Sequence, residues 1–537
     1  MSSLVTLVRH RVRRDRLQLA VWIACTGLLA FFTASAVGST YGGDEERAGI
    51  IALAVDNPAI LLLRGLPQGS SLPAFVFFQI FTYLALLAAL MSTFLAVRHS
   101  RGEEESGRAE LVASTPAART TPTAATLVHG VLADLALGAA VAAGFVVGGL
   151  PVAGSLVTGV AAAAVGVTFL CVGLLAAQFV RTARGANAVS VALVVLAFLL
   201  RGVGDALGTP SADGQSMTSS WPSWVSPIGW AQHVGAFTAD DLTPLLLCLA
   251  LAAVCGGAAF ALQSRRDDGT SLLPGRDGRK GARPWLRGSF SLAWRLQWPA
   301  ILAWVLGGAV FGLFAGGLAG LVVQAAETDP GLTGNLRLFA RGNGTLTQAL
   351  ISAMFELVGV LASACAVQAV VRARQEETGL TAELLLSTPL HRVRWLADYL
   401  VLGVVAIVAV LAGGAVTSTA AVLVTGDDDA TIRDSFAAAA AQLPATLVYL
   451  GVLALVFVVA PALTAGLGWT LLGAGAFVGL FGALVGLPGW VRDLSPFSHT
   501  PALGSGAVDL SGAAWLLAVA VVAASAALVL MRRRELH

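Results

Sequence analysis

The amino-acid sequence predicts an all-α integral membrane protein with about twelve transmembrane helices, built as two six-helix halves in a parallel repeat. Its 537 residues are 56% hydrophobic and only 12% charged, against roughly 25% charged residues in an average soluble domain. Several apolar runs reach the roughly 20 residues that a helix needs to cross the hydrocarbon layer. A polar segment between apolar runs in the first half recurs in the second half.

The first half begins with a basic segment, which is followed by six apolar runs. A cluster of five arginines at residues 9–16 next to a first span predicts a cytoplasmic N-terminus. The stretch at 50–63 is interrupted by Asp56, Asn57 and Pro58, which predicts a short external helix and not a span. The six predicted spans are Leu17–Val37, Leu72–Val97, Ala124–Gly149, Gly154–Val180, Asn187–Leu207 and Pro244–Leu262.

A polar stretch rich in Gly and Arg joins the two halves. Its composition argues against a packed core of its own. It ends in tryptophans mixed with arginines up to Trp298, a composition that suits an amphipathic helix in the membrane interface. The predicted organisation is therefore a first six-helix half at 1–262, a cytoplasmic linker with an interfacial amphipathic helix at 263–298, and a second six-helix half at 299–537.

The second half repeats the order of the first. Its predicted spans are Ala300–Val323, Leu350–Val371, Ala397–Val424, two spans within Phe436–Leu487 that turn near Pro461 to Gly468, and Ala513–Met531. An even number of spans per half gives both halves the same orientation. Most Lys and Arg residues then fall on the side that holds both termini, so the positive-inside rule predicts cytoplasmic N- and C-termini.

Two charged segments carry the repeat. The first charged segment (residues 101–119) and the second charged segment (residues 374–392) align without a gap at an offset of 273 residues (374 − 101). Each follows the second span of its half. The positions that match and that we take as candidate site residues are Arg101, Glu103, Glu104, Glu110, Pro116 and Arg119 in the first, and Arg374, Glu376, Glu377, Glu383, Pro389 and Arg392 in the second.

The charged segments allow two interpretations. Their glutamates either offset the nearby arginines and cap a helix end, or belong to a docking helix that transmits force from a cytosolic partner. We favour docking because the pattern recurs at equivalent positions, which implies two similar partners. The Ala-Glu-Leu piece favours a short amphipathic helix, and the Ser-Thr-Pro piece predicts a hydroxyl cap and a first-turn Pro for the next helix.

The two charged segments also differ. Gly107 lies three residues before Glu110, whereas Gly379 lies four before Glu383, and Thr378 replaces Glu105. These differences predict two docking helices of unequal strength.

The chain shows no signature of chemistry of its own. Its five cysteines all lie in apolar runs without paired spacing, so we predict no metal site and no catalytic residue. Its single lysine, Lys280 between Arg279 and Gly281, does not complete a phosphate-binding loop. The sequence therefore predicts no bound cofactor, and its charge asymmetry concerns membrane topology and not nucleic acid.

The charged segment after the second of six spans, together with a later Ser-Pro outer loop at Ser226 and Ser495, resembles permeases of the ABC-2 exporter family. The fused two-half chain is similar to the tetronasin-type, or polyketide-antibiotic, exporters. This resemblance implies coupling helices seated on two copies of a separate ATPase, with ATP and Mg²⁺ on that partner. It also implies export of hydrophobic drugs, antibiotics or lipids across a bacterial plasma membrane.

The same resemblance implies that the second and fifth spans of each half line the substrate path. The candidates there are Phe77, Phe78, Phe81, Phe198, Phe355, Glu356, Phe477 and Phe481. For each Phe, ordinary packing is the alternative. Glu356 in span eight is costly at membrane depth unless it is paired, protonated or hydrated, and it would be the titrating group of a proton-coupled secondary multidrug transporter, the rival function. Asp134 in span three is a weaker candidate of the same kind.

Overall fold

The computed structural model describes residues 3–41, 43–55, 58–212, 214–266, 272, 281, 286, 288–317, 345–425, 429–482, 488–501 and 509–534. The chain divides into two compact units, Met1–Gly278 and Arg279–His537. In the described part of the chain, twelve helices are long and apolar enough to cross a membrane. The predicted all-α integral membrane fold is confirmed.

The first unit contains six of these long helices and several short ones. Its helices are α1 (Ser3–Thr40), α2 (Asp44–Val55), α3 (Pro58–Arg64), α4 (Leu72–Arg98), α5 (Arg101–Glu105), α6 (Arg108–Ala113), α7 (Thr121–Val147), α8 (Val152–Phe179), α9 (Ala183–Ala206), α10 (Pro227–Gln232) and α11 (Leu245–Arg265). After α9, strands β1 (Thr209–Pro210) and β2 (Met217–Thr218) pair as a small antiparallel hairpin.

The second unit repeats this order. Its described helices are α12 (Ser289–Gly317), α13 (Leu346–Thr378), α14 (Thr381–Leu386), α15 (Arg392–Thr425), α16 (Asp429–Val459), α17 (Thr464–Phe481), α18 (Gly489–Arg492) and α19 (Ser511–Met531). The turn between its fourth and fifth long helices is a short 3₁₀ segment, Pro461–Leu463, at the start of the range predicted from the sequence.

The long helices pair in the same way within each unit. The first packs on the third, the second on the fourth, the third on the fourth, and the fourth on the sixth. These pairs are α1–α7, α4–α8, α7–α8 and α8–α11 in the first unit, and α12–α15, α13–α16, α15–α16 and α16–α19 in the second. The internal repeat seen in the sequence is therefore also a repeat of helix packing.

Helix limits differ from the predicted spans at a few places. Helix α1 extends back to Ser3 and includes the basic segment. Helix α12 starts at Ser289 and continues past Pro299, so the residues predicted to lie in the interface are continuous with span seven. The stretch at 50–63, predicted to form one short external helix, lies in two short helices, α2 and α3. Between α11 and α12, the structure describes only positions 266, 272, 281, 286 and 288, so most of the linker and Lys280 lie outside the described residues.

A buried ion pair joins helices α3 and α9 of the first unit. Arg201, which is fully buried in α9, pairs with Asp205 one turn later at 3.1 Å. Its guanidinium also donates to the backbone carbonyls of Leu61 and Leu62 in α3, at 3.3 and 2.5 Å, and Gln232 donates to Asp205 at 2.9 Å. This buried arginine has hydrogen-bond acceptors on several sides, as a buried charge requires, and it joins α3 to α9.

Glycines allow the closest helix approaches. In the α7–α8 pair, a Cβ added to Gly138 would lie 2.5 Å from the carbonyl oxygen of Gly159, and a Cβ on Gly159 would lie 2.4 Å from the carbonyl oxygen of Gly138. Close backbone contact of this kind replaces the hydrophobic drive that lipid cannot supply between membrane helices.

The variant Gly138→Val should therefore destabilise the first unit by roughly 1–3 kcal/mol, the usual cost of overpacking. Thermal unfolding of the purified protein in detergent measures this as a lower midpoint temperature. The matched control is Gly257→Val in α11, where an added Cβ meets nothing within 4 Å. Equal midpoints for the two variants would show that the Gly138 contact does not limit stability.

Candidate functional site

The two charged segments adopt the same backbone fold. In the first, α5 is followed by a left-handed residue, Gly107 (φ 70°), and by α6. In the second, the end of α13 is followed by a left-handed residue, Leu380 (φ 58°), and by α14. Helices α6 and α14 begin and end at positions separated by the repeat offset of 273 (381 − 108 and 386 − 113). The predicted short helix is confirmed in both segments.

The left-handed residue corrects one expectation about the glycines. Gly107 aligns with Leu380 (380 − 107 is 273) and not with Gly379, whose φ is −85°. The shifted glycine therefore does not change the turn. It means instead that the second segment makes the same turn with a leucine, for which the left-handed region costs about 1–2 kcal/mol.

The Ser-Thr-Pro pieces end the short helices. The hydroxyls of Ser114 and Thr115 donate to carbonyl oxygens three residues back, at 2.8 and 2.6 Å. Those of Ser387 and Thr388 do the same at 2.8 and 2.5 Å. The prediction that these hydroxyls cap the next helix was wrong, because the next long helix starts several residues later and the hydroxyls satisfy carbonyls of the preceding one.

Glu104 binds two arginines in the first segment. Arg101 is buried and donates to Glu104 at 2.5 Å and to the carbonyl oxygen of Ala177 at 2.6 Å. The other carboxylate oxygen of Glu104 pairs with Arg266, the residue at the C-cap of α11. The first charged segment is thereby attached to the end of the sixth long helix of its unit.

Glu377 makes the equivalent contacts in the second segment. Arg374 pairs with Glu377 at 2.6 Å, three residues apart as in the pair formed by Arg101. The second carboxylate oxygen of Glu377 pairs with Arg534, which follows α19. Both charged segments are thus attached by a glutamate and a second arginine to the end of the sixth long helix. The local-pairing interpretation holds for these two glutamates.

Glu103 and Glu376, at equivalent positions, have different surroundings. Glu103 pairs with Arg11 at 2.8 Å, and one of its oxygens lies 2.9 Å from Nδ1 of His99. Burial raises the pKa of the Glu103 carboxyl, but the His99 hydrogen bond and the Arg11 charge outweigh it and lower that pKa below its usual value. Glu376 is buried beside Tyr399, with Arg372 at 3.8 Å.

The outer face of each short helix is exposed. Leu111 is 71% exposed and its equivalent Leu384 is 73% exposed, and each directly follows an exposed glutamate, Glu110 or Glu383. The remaining predicted positions, Pro116, Arg119, Pro389 and Arg392, are also exposed. Each segment therefore has an inner side of ion pairs and an outer side available to a partner.

A buried cluster beside the first segment was not predicted from the sequence. Asp15 of α1 lies with one carboxylate oxygen against Nε2 of His99 and 3.1 Å from Nε2 of His129 in α7. Its other oxygen lies 3.0 Å from Arg98. The three ligand-type residues are 84 and 30 positions apart in sequence, so no local spacing could reveal them.

Most of the predicted path residues lie in packed cores. Phe77 and Phe81 stack with ring centroids 4.5 Å apart, and both are buried, as are Phe78 and Phe355. Phe198 is partly buried beneath Arg201. Phe477 is exposed, Glu356 is half-buried, and the side chain of Phe481 lies outside the described residues.

Asp134 lies in the packed interior of the first unit. Its side chain is completely buried in α7 and accepts a hydrogen bond from the Ser92 hydroxyl at 2.5 Å. Gly166 makes room for it, because a Cβ there would lie 2.3 Å from a carboxylate oxygen of Asp134.

Comparison with known proteins shows the family. The family model described as "Multidrug efflux system permease Rv1217c, C-terminal domain" matches residues 9–262 and 286–532. The chain is 34% identical over 534 residues to the multidrug efflux system permease protein Rv1217c of Mycobacterium tuberculosis (strain ATCC 25618 / H37Rv), covering 99% of this chain and 95% of that protein. The chain belongs to this permease family. Both charged segments lie within the residues that match the permease model.

The variant Glu104→Gln should loosen the first charged segment of the permease. It removes the carboxylate that pairs with both Arg101 and Arg266, and breaking a buried pair from one side costs about 3–5 kcal/mol. Hydrogen exchange followed by mass spectrometry should show faster exchange of the backbone amides at 101–113 and no change at 374–386.

Glu377→Gln should give the reverse pattern, and Glu45→Gln at an exposed position of α2 is the control that changes neither segment. Uniform exchange across both segments in either variant would contradict a local attachment through these glutamates.

Proposed function

We propose that this permease is the membrane-spanning subunit of an ATP-driven ABC exporter. It moves hydrophobic or amphipathic drugs, antibiotics or lipids out of the cell by alternating access, and separate ATPase subunits supply the power. One observation carries the proposal: two charged segments share a backbone fold, and each is attached by a glutamate and an arginine to the sixth helix of its unit. Two charged segments attached in this equivalent way suit two identical ATPase subunits.

The outer faces supply the docking surface. On each short helix, an exposed leucine follows a glutamate. The leucine offers a small apolar contact beside a charge, and such a pair suits a shallow groove on a partner. Beside α14 lies an open concavity of about 1040 Å³. The concavity is lined by Glu383, Leu386, Ser387, Leu390, His391, Arg392, Val393, Arg394, Ala397 and Arg532. A partner seated there would touch the second segment and the end of α19 together.

The inner sides transmit the movement. A force on α6 reaches Glu104 through α5, and the ion pair with Arg266 carries it to the end of α11. The same route runs from α14 through Glu377 to the residues after α19. Charged, hydrogen-bonded pairs suit this task because they hold two elements in one geometry without a large apolar interface.

Topology and division of labour follow from the proposal. The charged segments and both termini lie in the cytoplasm of a bacterium, and the chain is a multi-pass protein of its plasma membrane. ATP and Mg²⁺ bind to two copies of the partner ATPase. The permease itself carries no catalytic residue and acts as a transport subunit, not as an enzyme.

An apolar cavity in the second unit supports a hydrophobic substrate. It measures about 320 Å³ and lies between α13, α16, α17 and the outer loop that holds Ser495 and Pro496. Tyr449 borders it, and within the described residues its buried hydroxyl has no hydrogen-bond partner. A largely apolar cavity with one polar group is the usual form of a small-molecule site.

Charge reversal on the outer faces tests the docking. The double variant Glu110→Arg and Glu383→Arg should reduce substrate-stimulated ATP hydrolysis of the assembled complex by about tenfold or more, a loss of roughly 1.4 kcal/mol of interaction free energy. The measurement is ATP hydrolysis in vesicles that contain the permease and its ATPase. The control is Glu45→Arg in α2, an exposed glutamate far from the charged segments in sequence. Unchanged stimulation in the double variant would refute docking at these faces.

The energy source separates the proposal from a proton-coupled secondary transporter. Export from vesicles should require ATP, should continue when an ionophore collapses the proton gradient, and should retain its ATP dependence in Glu356→Gln. If transport proceeds without ATP, stops with the gradient, and is lost in Glu356→Gln but not in the exposed control Glu45→Gln, the permease is a secondary transporter.

A further inference from the structure

We propose that Asp15, His99 and His129 bind a transition-metal ion next to the start of the first charged segment, and that Zn²⁺ fits these ligands best. The three side chains come from α1, from the residue after α4, and from α7. Their ligand atoms, one carboxylate oxygen and two Nε2 atoms, all lie within 4.8 Å of one another. Each of the three side chains is at most 2% exposed.

The ring of His99 lies between two carboxylates. Its Nε2 faces a carboxylate oxygen of Asp15, and its Nδ1 lies 2.9 Å from a carboxylate oxygen of Glu103. A neutral imidazole carries one N–H and can donate from one nitrogen only. With Nδ1–H donated to Glu103, the lone pair of Nε2 is left for a metal ion that Asp15 would share.

The third residue favours the metal. His129 directs Nε2 at the same oxygen of Asp15, at 3.1 Å. Zn²⁺ takes two histidines and a carboxylate as a common ligand set and leaves a fourth position for water. Imidazole and carboxylate ligands also favour Zn²⁺ over Cu(I), which prefers soft thiolate ligands.

The surrounding groups are those that orient metal ligands. Glu103 accepts from Nδ1 of His99, and Arg98 lies 3.0 Å from the second oxygen of Asp15. A carboxylate on the far nitrogen of a ligating histidine fixes its tautomer and raises its basicity. A cavity of about 60 Å³ borders His99 and Glu103 on the side of α6, so water has space next to the cluster.

The second unit has no equivalent set. His99 aligns with Arg372 and His129 with Leu402 at the offset of 273, while Asp15 aligns with Trp294 at the offset of 279 that relates the first helices (295 − 16). An arginine, a leucine and a tryptophan cannot ligate Zn²⁺. The ion would thus strengthen the attachment of the first charged segment only, through Glu103, which belongs to that segment.

The test uses the full-length permease purified with an affinity tag that contains no histidine. After chelator treatment, the protein is titrated with Zn²⁺ and with Co²⁺, whose visible absorption reports tetrahedral nitrogen and oxygen ligands. We expect one ion per chain by elemental mass spectrometry and a higher thermal midpoint on Zn²⁺ addition. His129→Gln should lower Zn²⁺ affinity by at least about 100-fold, and Glu103→Gln by about 10–100-fold.

The control is His10→Gln, an exposed histidine on α1, which should bind Zn²⁺ as the parent does. If His129→Gln unfolds, competition of Zn²⁺ for the Co²⁺ signal of the parent protein still decides the matter. The proposal is overturned if the parent protein binds no stoichiometric ion, or if binding is unchanged in His129→Gln. A thermal midpoint that does not respond to Zn²⁺ would also count against the proposal.

Discussion

The pairing of one glutamate with two arginines is the interaction on which the charged segments depend. Glu104 holds Arg101 within its own segment and Arg266 at the end of α11, and Glu377 does the same with Arg374 and Arg534. Without the carboxylate, two buried or partly buried guanidinium groups would face each other, which is costly at low dielectric. The pairing thus determines both the position of each short helix and its link to the membrane helices.

The two charged segments share a left-handed turn and a short helix, but the side chains packed beneath them differ. Around Glu103 the first unit places Arg11, Asp15 and two histidines, whereas the second unit surrounds Glu376 with Tyr399 and Arg372. The side chains beneath the two segments therefore differ, whereas the turn within them does not, and the unequal docking strength suggested through Gly107 and Gly379 stays a prediction.

The helices pack closely where small residues meet. Gly138 and Gly159 bring α7 and α8 into backbone contact, and Gly312 lies against the backbone of Gly414 in the second unit. Close packing of this kind leaves few large side chains free to line a path, which is why Phe77, Phe81 and Phe355 are buried inside the cores. The cavity beside Tyr449 is a space that the same packing leaves open.

The sequence by itself determined the number and order of the membrane helices, the internal repeat, and the place of the charged segments, because hydropathy and a gap-free repeat are local properties of the chain. It also located the short helices, whose limits follow the repeat offset. Only the tertiary structure decided what the glutamates do. The second arginines that pair with Glu104 and Glu377 lie more than 150 residues away in sequence at the ends of other helices, and Asp15, His99 and His129 meet only when α1, α4 and α7 pack together. Pairings of this kind depend on helix contacts that no local pattern encodes.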